Sequence, residues 1–431
     1  MSVDSSPRLR LLTLLHAMGD AFGILRRCPV LIPLGLITLF AELTYSGLNN
    51  VTLPAYIPHL GVQPAWEGRV IGWVAFSFLL SETFLRVPFG WLSDRFGRAR
   101  IVIGALVLSV PTIWLSGTLT QYQWLFPLRW WDGMMAAALW PSVFAMVGDT
   151  VPGRWRANAM GVINMMYMLA LFCGWALAGV LVQQTGNPRL FFFLGAGVMG
   201  GAGVLAFIFF RALPQLSVPH PEVHVETAEH VVVSVGHHAA LLSITFVQNL
   251  GVTLIASYMF RYTTDPVALG GLGFSLNDLG WLVGAPVVGV GLLALPLSRL
   301  ADSLGKIRAV RLAFTVAAVA LWAFSRFQSL PALAITATCL AVAFSIGIPA
   351  WLAIISSLAT ANTRGLTLAG YGTVQGAAAA IGPLIGGVIW DKIGHAQIFT
   401  ASALTLTLAA ILTWVTLPEH APHSKNLPSR V

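Results

Sequence analysis

Residues 88–100 read PFGWLSDRFGRAR, and residues 296–308 read PLSRLADSLGKIR. Pro88-x3-Leu92-x-Asp94-x2-Gly97-Arg98-x-Arg100 thus recurs as Pro296-x3-Leu300-x-Asp302-x2-Gly305-Lys306-x-Arg308, at an offset of 208 residues. The same offset carries Pro141 onto Pro349, Arg156 onto Arg364, Gly174 onto Gly382, and Gly179-Val180 onto Gly387-Val388. At an offset of 201, Thr44, Val51, Thr52 and Leu53 fall on Thr245, Val252, Thr253 and Leu254. The chain is one unit written twice, in parallel order.

Composition says what kind of unit this is. The 431 residues carry 24 Lys and Arg and 16 Asp and Glu, so 9% are charged, against roughly 25% in soluble domains. Apolar residues make up 57%, and the mean hydropathy is +0.79. So few charges cannot solvate the surface of a protein this long, which excludes a soluble enzyme, a disordered chain and a nucleic-acid binder. Lipid is the solvent. The apolar runs are continuous and not alternating, which indicates helices and not a β-barrel. At roughly 20 residues per crossing, spans are expected near 30–57, 69–90, 101–119, 124–147, 159–182, 190–211, 238–261, 277–297, 309–326, 331–358, 365–390 and 397–417. The fold class is therefore an all-α membrane protein of twelve helices in two six-helix bundles.

Basic residues orient the chain. With both termini in the cytoplasm, 17 Lys and Arg fall on the inner side and 5 on the outer side (Arg69, Arg189, Arg261, Arg326 and Lys392). The net charge of +8 is a topology signal. The expected domains are a basic cytoplasmic segment, 1–29, a first bundle, 30–211, a polar linker, 212–237, a second bundle, 238–417, and a tail, 418–431. The N-terminal segment has no small-residue cleavage site and reads either as an amphipathic helix on the inner leaflet or as a basic tail. Cys28, Cys173 and Cys339 are too scattered for a disulfide framework or a metal site, and no cofactor is expected. Two bundles on a linker suit halves that rock around a midplane cavity, which a transporter requires.

The stretch Gly90-Trp-Leu-Ser-Asp94-Arg95-Phe-Gly97-Arg98-Ala-Arg100 resembles the signature loop of the major facilitator superfamily of secondary transporters, and the resemblance covers nearly the whole chain. Arg129-x3-Gly133-x3-Ala137 resembles that family's second motif, and Asp149-x2-Pro152-x3-Arg156 its loop after the fourth helix. Gly376-x5-Gly382-Pro383-x2-Gly386-Gly387 resembles the Gly-Pro motif of drug antiporters, but it lies in the eleventh span. The fifth span reads Gly174-Trp-Ala-Leu-Ala-Gly179 and lacks the proline. In pattern the chain is closest to drug/proton antiporter-type members.

The signature loop also has a reading of its own. Gly90 and Gly97 permit a tight turn. Asp94 is expected to face the positive N-terminus of a neighbouring helix, that of the eleventh span, and Arg95 and Arg98 to pair with acids across the half interface. With Asp149, Arg156, Asp302, Gly305 and Lys306 they form an expected cytoplasmic gate. The alternative is that these charges only set topology.

Glu42, Glu82, Arg86, Arg129 and Asp132 lie inside spans, all in the first half. A charge at the bilayer centre costs about 2.5–3.5 kcal/mol on the lenient scale, so each is a functional candidate. Glu42 lies about twelve residues, or ~18 Å, into its helix, and Tyr45, Ser46 and Asn49 continue a polar stripe towards the expected cavity. Burial disfavours a charged carboxylate, which suits Glu42 to proton coupling. A structural ion pair is the alternative. Glu82 and Arg86 are spaced as a same-face pair, serving either structure or substrate. Arg129 and Asp132 share a face, and the resemblance extends the family's association of this arginine with proton coupling to Arg129. Trp130 and Trp131 read as interface aromatics and place Arg129 towards the outer side. In the second half, Gln248, Asn249, Tyr371 and Gln375 either bind substrate or bridge helices. Trp140, Trp175 and Trp351 line a cavity or pack the core.

The expected function is proton-coupled export of amphiphilic small molecules. The alternatives are proton-linked uptake of sugars or organic metabolites, flipping of a lipid-linked headgroup, and, from another class, a membrane-embedded enzyme or sensor, which the lack of any mid-span histidine disfavours. Expected partners are a small-molecule substrate, protons and the bilayer, with no nucleic acid. A functional monomer is expected, in the inner (plasma) membrane if the source is prokaryotic.

Overall fold

A computed structural model describes residues 25–212, 235–275, 278–279, 282, 286, 304–357 and 364–417. Among the described residues there is no β-strand. The helices are α1 Leu31–Leu60, α2 Glu67–Phe96, α3 Arg98–Thr118, α4 Leu125–Thr150, α5 Gly153–Thr185 and α6 Arg189–Ala212. They continue with α7 Val235–Ala256, a short α8 Met259–Thr264, α9 Lys306–Phe324, α10 Leu330–Ser357, α11 Arg364–Lys392 and α12 Gln397–Thr416. Among the described residues ten helices are long and apolar enough to cross a membrane. Each expected span except 277–297 overlies a helix. That span is described only at isolated residues, and Asp302, the linker 213–234, residues 1–24 and the tail 418–431 lie outside the described residues.

Two boundaries differ from the sequence pattern. The first span was expected to end at residue 57, but α1 runs to Leu60 and carries a π turn at Leu48–Thr52. The seventh was expected to run unbroken to 261. Instead the chain turns at Ser257–Tyr258 and restarts as α8, because Tyr258 and Arg261 there are held by α2.

Packing follows the duplication. α1 lies against α5 and α6, and α3 against α4 and α6, while α2 lies against α4. In the second half α7 packs on α11 and α12, and α9 on α10 and α12. The repeated motif is repeated in shape as well. Gly97 and Gly305, 208 residues apart, precede α3 and α9 with φ/ψ of 93°/128° and 80°/145°, backbone open to glycine. Large apolar side chains such as Val107, Val204, Ile208, Val319, Leu404 and Ile411 point outward, as a lipid solvent allows.

The halves meet chiefly through α2 and α11. The larger core cluster fills the first half and crosses into the second through Tyr258, Phe260, Trp390 and Phe399, at the end of the molecule where α2 begins and α11 ends. A second cluster, around Phe314, Trp351, Ile354 and Tyr371, stays in the second half at the opposite end, the one that carries Asp94. Among the described residues the apolar core is therefore continuous between halves at the Asp391 end only.

Close approach is bought with glycine. A methyl group on Gly133 would overlap the Phe78 carbonyl and the Ser81 hydroxyl of α2. Gly133→Val is expected to cost about 1–3 kcal/mol by overpacking and to lower the thermal midpoint clearly. Gly104→Ala, where an added carbon meets nothing within 4 Å, is expected to leave it within error. Equal midpoints for the two variants in a thermal melt of the solubilised protein contradict the packing of α2 on α4.

Candidate functional site

Four helices of the first half bring one charged cluster together within the helical spans. Glu82 and Arg86, one turn apart on α2, pair at 2.5 Å as their spacing predicts. Glu42 on α1 is buried, hydrogen-bonded by the Tyr167 hydroxyl of α5, and within electrostatic range of Glu82. Trp140 of α4 meets the Tyr167 ring edge-on at 5.3 Å. The Arg86 side chain is 44% exposed while that of Glu82 is 11%, so the guanidinium is the accessible member. With both carboxylates ionised the cluster carries one net negative charge, and one proton or one organic cation neutralises it. Tyr167 was not foreseen from the sequence.

A second cluster lies deeper inside the same half. Arg129 is fully buried. It donates to Asp132 at 2.6 Å and to the Asn49 side chain, and its guanidinium lies 4.7 Å from the centre of the Phe78 ring. Asp132 also accepts from Thr112 of α3. These groups knit α1, α3 and α4, and the polar residues expected to continue a stripe on α1 each have a partner within the half. Tyr45 bonds Ser109 at 2.9 Å, Ser46 donates to the Leu171 carbonyl, and Asn49 turns to Arg129. Asn49 lies at the start of the π turn Leu48–Thr52.

The second half contributes little charge. Asn249 donates to the Thr245 carbonyl at 2.8 Å and approaches Gln248, which is buried. Tyr371 is buried beside Trp351 and within 3.4 Å of His238, whereas Gln375, one turn on, is exposed. Trp351 sits in the core against Phe314. The indole nitrogens of Trp175 and Trp351 are buried without a hydrogen-bond partner among the described residues.

At the Asp94 end, the motif charges pair within their own half. Arg98 bridges Asp94 at 3.3 Å and Asp149 of α4 at 2.9 Å. The Asp94 side chain is 65% exposed, where contact with the N-terminus of α11 was expected. Arg95 lies over Trp91 and Phe96, 5.3 and 5.8 Å from the ring centres, instead of reaching an acid. Arg156 is exposed, Gly90 is half-buried, and Lys306 opens α9 directly after Gly305.

The opposite end holds a network that the sequence reading did not single out. No side chain of α2's own caps its N-terminus. Asp391, from the last turn of α11, does so across the two halves. One carboxylate oxygen accepts from the Gly68 N–H at 2.7 Å, the other from the Arg69 N–H at 3.0 Å and the Arg69 side chain at 2.9 Å. Arg261 of α8 binds Glu67 at 2.6 Å and Asp265 at 2.8 Å. The Tyr258 hydroxyl donates, bifurcated, to the carbonyls of Pro383 at 2.7 Å and Gly68 at 3.0 Å. Gly68, Gly72 and Gly387 let the two backbones touch. One signal was available: an aspartate in the last turn of a helix sits at the end its dipole makes negative, which is sensible only if something outside that helix holds it.

The model of the Major Facilitator Superfamily matches residues 34–265 and again 239–431. The chain belongs to the Major Facilitator Superfamily. Its relatives include "Multidrug resistance protein 1" of Bacillus subtilis (strain 168), 24% identical over 385 residues that span 88% of this chain and 95% of the relative. "Multidrug resistance protein MdtG" of Salmonella typhi is 25% identical over 379 residues, 85% of this chain and 90% of the relative. Among solved structures, a peptide transporter POT in complex with sulfate aligns with a TM-score of 0.70 at 15% identity, over 90% of this chain and 93% of that one. A bacterial homologue of the human lysosomal transporter Spinster, inward-facing and unoccupied, aligns at 0.66 with 15% identity, over 90% and 96%. These structural likenesses concern the fold.

As a member of this superfamily the protein is an integral multi-pass membrane transporter, so the chemistry to be explained is passage and not bond-making. Within that frame the Arg129–Asp132 cluster has the marks of a structural pair. Asp132→Asn leaves a buried guanidinium short of its counter-charge and is expected to destabilise the protein by roughly 3–5 kcal/mol. The double variant Arg129→Met with Asp132→Leu is expected to recover much of that loss. A double variant no more stable than Asp132→Asn in thermal unfolding would contradict this assignment.

Proposed function

We propose that the protein is a proton-coupled exporter of amphiphilic small molecules that works by alternating access. In this reading twelve helices form two six-helix bundles, 30–211 and 238–417, joined by the linker 212–237, with both termini and the Asp94 end in the cytoplasm. Segments 1–29 and 418–431 are then cytoplasmic, and the home of the protein is the inner membrane if the source is bacterial. The 17-to-5 partition of basic residues supports the orientation. A monomer suffices, because a single chain carries both halves.

The observation that carries the reading is the mid-membrane cluster. Glu82 is paired with the Arg86 guanidinium, while Glu42, buried beside it, is held by the Tyr167 hydroxyl, and holding both carboxylates charged in a low-dielectric setting is costly. A proton on Glu42 relieves this, and so does a cationic substrate. The two compete for one negative charge, which is what exchange requires. Tyr167 and Trp140 offer aromatic faces beside it, suited to the apolar part of an amphiphile and to its cation. The multidrug resistance relatives support the same substrate class. Arg129, Asp132, Asn49, Gln248, Asn249, Tyr371 and Gln375, first read as lining the cavity, serve helix contacts in this proposal or await a substrate. The exposed guanidinium of Arg86 favours one second reading, recognition of an anionic metabolite or headgroup.

The Asp391 network is then the closed outer gate, and the separated cores at the other end describe an inward-open state. Asp94, Arg95, Gly97, Arg98, Asp149, Arg156, Asp302, Gly305 and Lys306 would close the inner end in the opposite state, where Asp94 gains its helix N-terminus.

Inside-out vesicles with an acidic lumen provide the test. A lipophilic cationic dye is expected to accumulate, and Glu42→Gln to reduce accumulation to the level of empty vesicles. Proton-driven accumulation that survives Glu42→Gln rejects the coupling site. Uptake of organic anions without the dye, lost in Arg86→Gln, favours the second reading. Asp391→Asn, which gives up a charged acceptor for three N–H donors, is expected to raise cysteine labelling at the outer end severalfold. Unchanged labelling contradicts the gate.

A further inference from the structure

His395, in the short connection between α11 and α12, is the titratable group of the Asp391 network that none of the ion pairs uses. Its ring stacks on Trp390 with centroids 3.8 Å apart and planes 14° apart. Trp390 meets Tyr258, the hydroxyl that ties α2 to α11, at 5.3 Å. Nδ1 of His395 is buried and has no hydrogen-bond partner among the described residues, and it points to Gly270, where an added carbon would lie 3.1 Å away.

Charged groups surround it from each packed element. Arg261 comes from α8 and Asp265 from the residue that follows it, Glu67 from the start of α2, and Asp391 from the end of α11. Arg69 and Lys392 complete the charges of these helix ends. The Arg261 guanidinium lies 5.8 Å from the centre of the Trp390 ring on which His395 stacks.

We propose that His395 is an outward-facing proton sensor that releases the outer gate when it becomes charged. Neutral His395 keeps its hydrogen on Nε2 and leaves only a weak acceptor unmet. A protonated ring would bury an extra N–H donor with no acceptor, beside a guanidinium. Burial, and after it the Arg261 charge, hold the imidazole below its ordinary value of 6.5 in the closed gate. Opening exposes the ring to water and restores that value. The sign follows from linkage: the lower pKa belongs to the closed state, so its advantage is complete above about pH 6.5 and fades as pH falls through the depressed value. External acid therefore opens the outer end. The sensor rests on reading this end as the outer gate and is separate from coupling at Glu42.

Spin labels at Gln63 and Val267, exposed positions on the two halves at this end, report its opening. The full chain would be measured in lipid nanodiscs with Cys28, Cys173 and Cys339 replaced, in a Glu42→Gln background so that the mid-membrane carboxylate does not titrate. The open fraction is expected to rise severalfold between about pH 7.5 and about pH 5. His395→Phe, which keeps the stack, and His395→Gln are both expected to abolish the rise. No rise in the parent protein, or the same rise in both variants, overturns the proposal. Dye transport by the Glu42-containing protein is read separately, so failure of the sensor is not failure of the exporter.

Discussion

In lipid, apolar side chains have no reason to prefer each other over the acyl chains around them, so two helical halves need another cause to associate. Here the cause is contact of backbone with backbone. Gly68, Gly72 and Gly387 remove the side chains that would hold α2 and α11 apart. The exposed N–H groups at the start of α2 and the Tyr258 hydroxyl then reach partners in the other half. Such an association is short-ranged. It is strong while the glycines touch and nearly absent a few ångströms further out, so the halves hold in discrete positions. The single continuous core at the Asp391 end is the result.

The intramembrane charges divide by how completely they are satisfied. Arg129 and Asp132 meet Asn49, Thr112 and each other within one half, and nothing about them changes if the halves move. Glu42, Glu82 and Arg86 are left one cation short. In the proposed exporter, that deficit is what a proton or a cationic substrate would act on. A cluster that was neutral and sealed would bind neither a proton nor a substrate with any consequence.

What could be read from the sequence was what is written locally or periodically. The duplicated motif gave both the two halves and the turn conformation later seen at Gly97 and Gly305. Glu82 with Arg86 and Arg129 with Asp132 were legible because a helix brings residues three or four apart together whatever surrounds it. Tyr167 at Glu42 and Asp391 at Gly68 were not, since those partners lie far apart in the chain and meet only through the order in which helices pack. Asn49 at Arg129 belongs with them, its partner lying 80 residues along the chain. The Asp94 loop was recognised as a motif, yet a motif does not say which state it is found in, and here its charges stay within one half.

Asp391 is badly placed on its own helix. In the last turn of α11 it faces carbonyl oxygens and the negative end of the dipole, and only the start of α2 makes the position favourable. The aspartate therefore carries frustration that α11 cannot relieve alone. If the halves part, as the proposed exchange requires, water would have to take over what two backbone N–H groups and an arginine now supply. The end of α11 is thus poised, and the closed end of the molecule is where it comes to rest.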